Sequence, residues 1–395
     1  MQPKKVAKPK TYDVVVIGAG VFGAWTAWHL ARRGQSALLI DAYGPGNARA
    51  SSGGESRIIR MGYGADELYT RWAARSLARW KELFAETAGS PALFRETGVL
   101  WLRNKDNPPL DDMTAVLSRC KVPFESLSGS AIAKRYSQFD SHDLSSGILE
   151  TESGVLMGRR AVAAVVESAL SLGVEYRQAQ ITPPFVADTP SSRLDAISTS
   201  DVQRISAGQF VFACGAWLGK IFPEILGPRI FPSRQEVFFF GVPPGDNQFS
   251  APSLPTWLIQ GDEVYGMPDL ESRGFKIAFD SHGQRVDPDM QSRVVSAESI
   301  ERVRAYVAKR FPVLADAPIV ETRVCQYENT SNGDFLIDRH PEINNVWFAG
   351  GGSGHGFKHG PAIGEYVAQQ ILDGGPAKTR FALASKATEQ KRAVY

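Results

Sequence analysis

Apolar residues in this chain recur with two periods, and the period changes from segment to segment. Residues Tyr12 to Ile17 form a short β-branched run, as suits a strand buried on both faces. From Val21 to Arg33 the apolar positions take helical spacing, and Gly34 supplies a stop. "SALLID" is then a second buried run, ending at Asp41, so the opening segment predicts a βαβ unit. Residues 66–87 predict an amphipathic helix with Leu68, Trp72, Leu77, Trp80 and Leu83 as core candidates. Strands are predicted at 98–104, 146–150, from Val174 and from Ser206, with a helix over 158–173. Residues 230–285 are rich in strand patterns, a sheet suited to roofing a pocket. Near the end, a run from Val346 to Ala349 enters a loop with six glycines between Gly350 and Gly360, and a helix from Ala362 to Leu372 leaves it. The fold class this predicts is α/β.

Length and charge narrow the picture. At 395 residues the chain exceeds one compact core, so two domains are expected. Net charge is only +2 and spread along the chain, which gives no footprint for nucleic acid. The basic lead "MQPKKVAKPK" lacks the apolar stretch of a signal peptide and reads as a disordered tail. No run approaches a membrane span, and the expected location is cytoplasmic. Cys120, Cys214 and Cys325 are too few and too scattered for a disulfide framework or metal cluster, so no metal is expected. Cys214, at a buried strand end, reads as a small core residue. No internal repeat is present.

Candidate chemistry begins in the βαβ unit. Gly18, Gly20 and Gly23 stand in the spacing G-x-G-x-x-G. Gly18 permits the tight turn, Gly20 a close approach of backbone to a pyrophosphate, and Gly23 the packing of helix on strand. The helix N-terminus favours the diphosphate, and Asp41 is placed to accept ribose hydroxyls. An adenine dinucleotide follows, with NAD and FAD both open. Arg57 and Arg60 point to opposite faces if extended and share one on a helical turn; ion pair and anion clamp are equally good readings. Lys276 alternates with Phe275 and Ile277, a pattern usual for a solvent-facing residue. The C-terminal loop, with Gly352, Gly354 and Gly356, is a second close-approach backbone suited to negative charge. Cys325 lies in "ETRVCQYENTSNGDF", polar company for a thiol, with Arg323 as the nearby cation.

The N-terminal unit, "SRIIR" and "GGSGHGFKHGP" together resemble the monomeric sarcosine oxidase and N-methyltryptophan oxidase group of D-amino-acid-oxidase-like flavoproteins, over residues 12–375. The resemblance implies a Rossmann-like FAD-binding domain from 12–88, 153–222 and 333–380. An interleaved, largely antiparallel substrate domain would come from 89–152 and 223–332, with tails at 1–11 and 381–395. It implies ADP binding by Gly18, Gly20, Gly23 and Asp41, and cofactor contacts from Gly352, Gly354, Gly356 and Lys358. Arg57 would lie over the flavin, Arg60 and Lys358 would hold the substrate carboxylate, Lys276 would activate oxygen, and Tyr327 would line the pocket. Cys325 would carry FAD covalently. Two positions depart from the family: histidines there are Asp280 and Gly53 here, and His282 would share the face of Asp280 in a strand. Asp280 could attract a cationic substrate group, although a solvated strand-end acid is the commoner reading. The implied activity is oxidation of a secondary-amine (N-methyl or cyclic) amino acid to an imine, with O2 reduced to H2O2, by a monomer acting on a small molecule. A dehydrogenase with another electron acceptor, an NAD enzyme and a non-catalytic flavin-binding module are the rivals.

Overall fold

The computed structural model describes residues 11–87, 92–183 and 193–390. Residues 1–10 of the basic lead, most of the polar stretch before residue 193 and the last five residues lie outside it. The chain divides into two compact units. One comprises the segment ending at Gly53, Arg159–Phe231 and the segment beginning at Glu328; the other comprises Gly54–Gly158 and Pro232–Tyr327.

The first unit contains the βαβ segment as β1 (Thr11–Ile17), α1 (Val21–Arg32) and β2 (Ala37–Asp41). Its sheet runs in the order Leu336–Arg339, Val346–Gly350, Arg204–Phe212, β1, β2, Glu175–Gln178, with Ala196–Ser198 paired to Arg204–Phe212. From Val346–Gly350 to Glu175–Gln178 every pairing is parallel. That explains the unbroken apolar runs: Val15, Val16, Leu39, Phe212 and Phe348 are fully buried because both sheet faces are covered. Five carboxyl ends therefore stand side by side, and the loops of four of them carry Gly350–Gly356, Ala213–Gly215, Gly18–Gly20 and Asp41–Gly44. The helix Gly360–Leu372 presses on α1. A Cβ at Gly364 would lie 2.5 Å from the Trp25 carbonyl carbon, so only glycine permits this approach.

The expected C-terminal tail from 381 is a correction. Phe381 is fully buried, the Leu383 N–H donates to Asp338 Oδ2 at 2.7 Å, and the Ala387 N–H donates to Ser331 Oγ at 2.8 Å. Residues 379–387 are thus docked on the first unit.

The second unit is built on an eight-stranded sheet in the order Ile319–Asn329, Phe231–Phe240, Phe275–Phe279, Val264–Met267, Thr256–Gln260, Val99–Asn104, Leu144–Glu150, Phe124–Ser128. It is largely antiparallel, with one parallel pairing between Thr256–Gln260 and Val99–Asn104. Its core is aromatic: Trp257 and Phe275 stack at 6.0 Å, and Phe311 meets both. A small sheet of Arg57–Ile59, Gly154–Leu156 and Phe94–Arg95 also belongs here. Residues 54–87 and 153–158 therefore fall in this unit, against the expected boundaries, because Arg57–Ile59 pairs with Gly154–Leu156 rather than with the parallel sheet. The helix Glu67–Glu86 buries Trp72, Leu77, Trp80 and Leu83 as expected, while Leu68 is only half-buried. Residues 223–231 and 328–332, expected beside the substrate sheet, lie in the first unit.

Candidate functional site

In the first unit two glycines of the G-x-G-x-x-G turn, Gly18 and Gly23, are required by contact. Gly18 has φ +105°, and a Cβ there would stand 2.3 Å from Ala213 O; at Gly23 it would stand 1.8 Å from Gly18 O. Gly20 caps α1 without a side chain, and no acidic residue occupies the first turn. The first turn therefore supplies no counter-charge of its own, and the nearest carboxylate is that of Asp41, on the Ala19 N–H just before the cap. Ser52 Oγ accepts the Val21 N–H at 3.0 Å. Asp41 is more engaged than the sequence suggests. It accepts the Ala19 N–H at 2.8 Å through Oδ2, and those of Tyr43 and Gly44 at 2.8 and 3.0 Å through Oδ1. The Asn47 amide is a fourth, longer donor to Oδ1 at 3.5 Å, so of the two oxygens Oδ2, with one donor, is the more open to a further hydroxyl. Burial raises its pKa, and these N–H groups oppose that shift.

The loop after Val346–Gly350 closes on itself, with Gly351 and Gly354 at φ +69° and +78°. Gly356 packs so tightly that a Cβ would meet Gly352 Cα and Phe22 Cζ, both at 2.8 Å. Lys358 is buried, and its Nζ donates to His355 O at 3.0 Å. Beside the loop lies a group the sequence reading missed, Glu328. Burial pushes its carboxyl up to about 7, although the Gly352 and Gly351 N–H groups act the other way. Its Oε2 has no hydrogen-bond partner among the described residues. Cys214 donates to Ile17 O at 3.4 Å and is only partly buried by surface area, while burial is the first cause raising its pKa; either way it is a structural thiol.

In the second unit Arg57, Lys276, Cys325, Tyr327 and Asp280 come together. The Arg57–Ile59 segment is a strand, not a helical turn, and Arg60 follows directly after its end. Arg57 Nη2 lies 3.8 Å from Cys325 Sγ, and its guanidinium passes so close to Gly54 that a Cβ there would fall 2.1 Å from Nη1. The cation at the thiol is therefore Arg57. Arg323 pairs instead with Glu55 at 2.9 Å. Lys276 is not a solvent-facing residue but is 3% exposed, its Nζ donating to Ser56 O and Oγ, each at 3.0 Å. Burial first, and then the Arg57 charge, lower its pKa well below the ordinary lysine value.

Tyr327 donates its hydroxyl to Asp280 Oδ1 at 2.7 Å and hydrogen-bonds with Tyr265. Asp280 is half-buried and paired, not a solvated strand-end acid. Burial, then Asp280, push Tyr327 well above the ordinary phenol value. The strand ends at Phe279, so alternation does not put His282 on the face of Asp280. Arg60 is 5% exposed between the rings of Tyr63 and Trp101, at 4.6 and 4.7 Å. Glu150, also missed, orders this corner. Its carboxylate accepts the N–H groups of Met61 and Gly62 at 2.7 and 2.8 Å and the Trp101 indole N–H at 2.7 Å. No cluster of metal-ligating side chains occurs among the described residues.

The family model described as DAO, FAD dependent oxidoreductase, matches residues 13–370. The chain belongs to the DAO family. As a DAO-family protein it is an FAD-dependent oxidoreductase. It is 31% identical over 369 residues to the monomeric sarcosine oxidase of Bacillus sp. (strain B-0618), covering 92% of this chain and 93% of that protein. It is 27% identical over 376 residues to the N-methyl-L-tryptophan oxidase of Salmonella arizonae, covering 93% and 96%. Its fold is shared with the L-proline dehydrogenase from P. horikoshii, at TM-score 0.81 and 22% identity over 95% of this chain and 97% of that one. The residues of this DAO-family chain fit the dinucleotide. Gly18 and Gly23 admit no side chain, the first turn of α1 holds no acidic residue, and the buried Glu328 Oε2 lacks a hydrogen-bond partner among the described residues.

Proposed function

We propose that the protein oxidises the C–N bond of a secondary-amine amino acid, N-methyl or cyclic, to the imine and reduces O2 to H2O2. The observation that carries this reading is the buried Lys276, which has no carboxylate partner among the described residues and lies in one cluster with Arg57 and Cys325. The relatives that cover nearly the whole chain are named for oxidation of sarcosine and N-methyl-L-tryptophan, both secondary amines.

FAD, when bound, supplies the acceptor for the two electrons and proton lost from the N–CH unit. Gly18, Gly20 and Gly23 admit its diphosphate to the α1 terminus, and Asp41 takes a ribose hydroxyl. Gly352, Gly354 and Gly356 leave the loop backbone open to the cofactor. Arg60, braced by two rings, receives the substrate carboxylate, and Lys358 adds positive charge from the glycine loop. Fixing the substrate in this way removes orientational entropy from the barrier. The Arg57 charge favours the neutral form of the substrate amine, which alone releases its electrons. Lys276 would meet negative charge developing on O2, where a fixed donor in a dry setting acts most strongly and where that negative charge favours its protonated form. Cys325 is the residue that would hold the flavin covalently through its sulfur, with Arg57 Nη2 3.8 Å away as the neighbouring cation. Tyr327 and Asp280 form the polar wall against the substrate amine. The protein acts as a cytoplasmic monomer.

The test is a panel of N-methyl and cyclic amino acids added to the yellow protein in air, with peroxide measured against amine consumed. One peroxide per imine supports the reading. Bleaching of the flavin without peroxide would move it to a dehydrogenase. For the tether, acid-precipitated protein should stay yellow, and Cys325→Ala should release the colour to the supernatant.

A further inference from the structure

Glu328 has one oxygen in an environment that offers it nothing. The residue is 8% exposed, and Oε2 is buried without a hydrogen bond. Around the carboxyl the chain has removed its side chains. A Cβ on Gly350 would lie 3.3 Å and one on Gly215 3.7 Å from Oε2, and one on Gly352 would lie 3.2 Å from Oε1. Gly350 ends one strand of the parallel sheet, and Gly215, at φ +55°, follows its neighbour Arg204–Phe212. The carboxyl is therefore seated at the ends of two adjacent strands, walled by backbone. An unmatched buried carboxyl oxygen costs stability, which a donor or acceptor from a ligand relieves.

Sheet order says which part of the ligand reaches it. The strand ends run β2, β1, Arg204–Phe212, Val346–Gly350. Asp41 at β2 marks the adenosine ribose, and the α1 terminus after β1 marks the diphosphate. The next two strand ends, about 5 and 10 Å further along the row, are those flanking Glu328. In FAD the group joined to the diphosphate on the side away from adenosine is the ribityl chain, which bears a row of secondary hydroxyls.

We propose that Glu328 binds the ribityl hydroxyls of FAD. A polyol both donates and accepts, so it satisfies the carboxyl in either protonation state and supplies the partner that Oε2 lacks. The glycines at 215, 350 and 352 keep the ribityl chain close enough for this contact. The assignment rests on the proposed placement of the ADP half, and the experiment separates the two.

The full-length chain carrying Cys325→Ala, which keeps binding reversible, is freed of flavin and titrated with FAD and with ADP by calorimetry. ADP has no ribityl chain. Glu328→Ala should weaken FAD binding about tenfold to a hundredfold and leave ADP binding within about twofold. Glu328→Gln, which keeps the volume and one acceptor, should lose several-fold for FAD only. Unchanged FAD affinity in both variants overturns the assignment. Equal weakening of FAD and ADP also overturns it, because the carboxyl would then serve only the shape of the loop. Failure of the unsubstituted Glu328 protein to bind ADP overturns the placement of the ADP half and this inference together.

Discussion

In the flavin-free protein the Glu328 carboxyl holds its proton up to about pH 7, whereas in the unfolded chain it releases it near the ordinary glutamate value. Below both values the group is protonated in either state and has no effect on folding. As pH rises through the window the unfolded state sheds the proton first. Stability therefore falls, by about 3 kcal/mol once both forms are ionised. Glu328→Gln cannot titrate and should lack this loss. Urea unfolding of the two flavin-free proteins at pH 5 and pH 8 checks it, and equal pH differences in both would contradict the argument. At Lys276 the expected consequence is kinetic. Lys276→Met should slow reaction of the reduced protein with O2 by about a hundredfold or more, with a much smaller effect on reduction by the amine. Stopped-flow measurement of the two half-reactions decides it, and equal slowing would remove the assigned role. Gly18, Gly23 and Asp41 were legible as local spacing. Lys276 read as solvent-facing because its partner Ser56 lies 220 positions away. Glu328 and Glu150 carried no local signal at all, since what marks them is the burial of a carboxyl.

Among elements, α1 separates conformational from steric demands on glycine. Gly23→Ala drives a methyl into Gly18 O and should leave the protein without bound FAD. Gly34, at φ +77°, closes the same helix, and a Cβ there would meet nothing within 4 Å. Gly34→Ala should cost about 1–2 kcal/mol of stability and leave FAD binding intact. Absorbance of the purified variants and their urea midpoints test the pair. The helices and strands were largely legible because each buries one continuous stripe or run. The strand Arg57–Ile59 was not, because three residues carry no period, and its pairing with Gly154–Leu156 is what moves residues 54–87 into the second unit. The docked residues 379–387 were equally invisible, since their attachment runs through Asp338, Ser331 and the buried Lys386 rather than through an apolar pattern.

For the molecule as a whole, FAD that binds only the folded chain should raise its stability by mass action, about 2.7 kcal/mol at a hundred times the dissociation constant. In the Cys325→Ala protein the thermal midpoint should therefore climb with added FAD, and a midpoint indifferent to FAD would argue against reversible binding. The division into two units has a further consequence for how such a protein can change. The boundary is crossed after Gly53, Gly158, Phe231 and Tyr327, so neither unit is one continuous stretch of sequence. A single recombination event cannot exchange one unit for another, and a single proteolytic cut cannot release one. New specificity in this architecture must arise by point substitution inside a fixed frame, at positions such as Asp280, rather than by shuffling of ready-made parts.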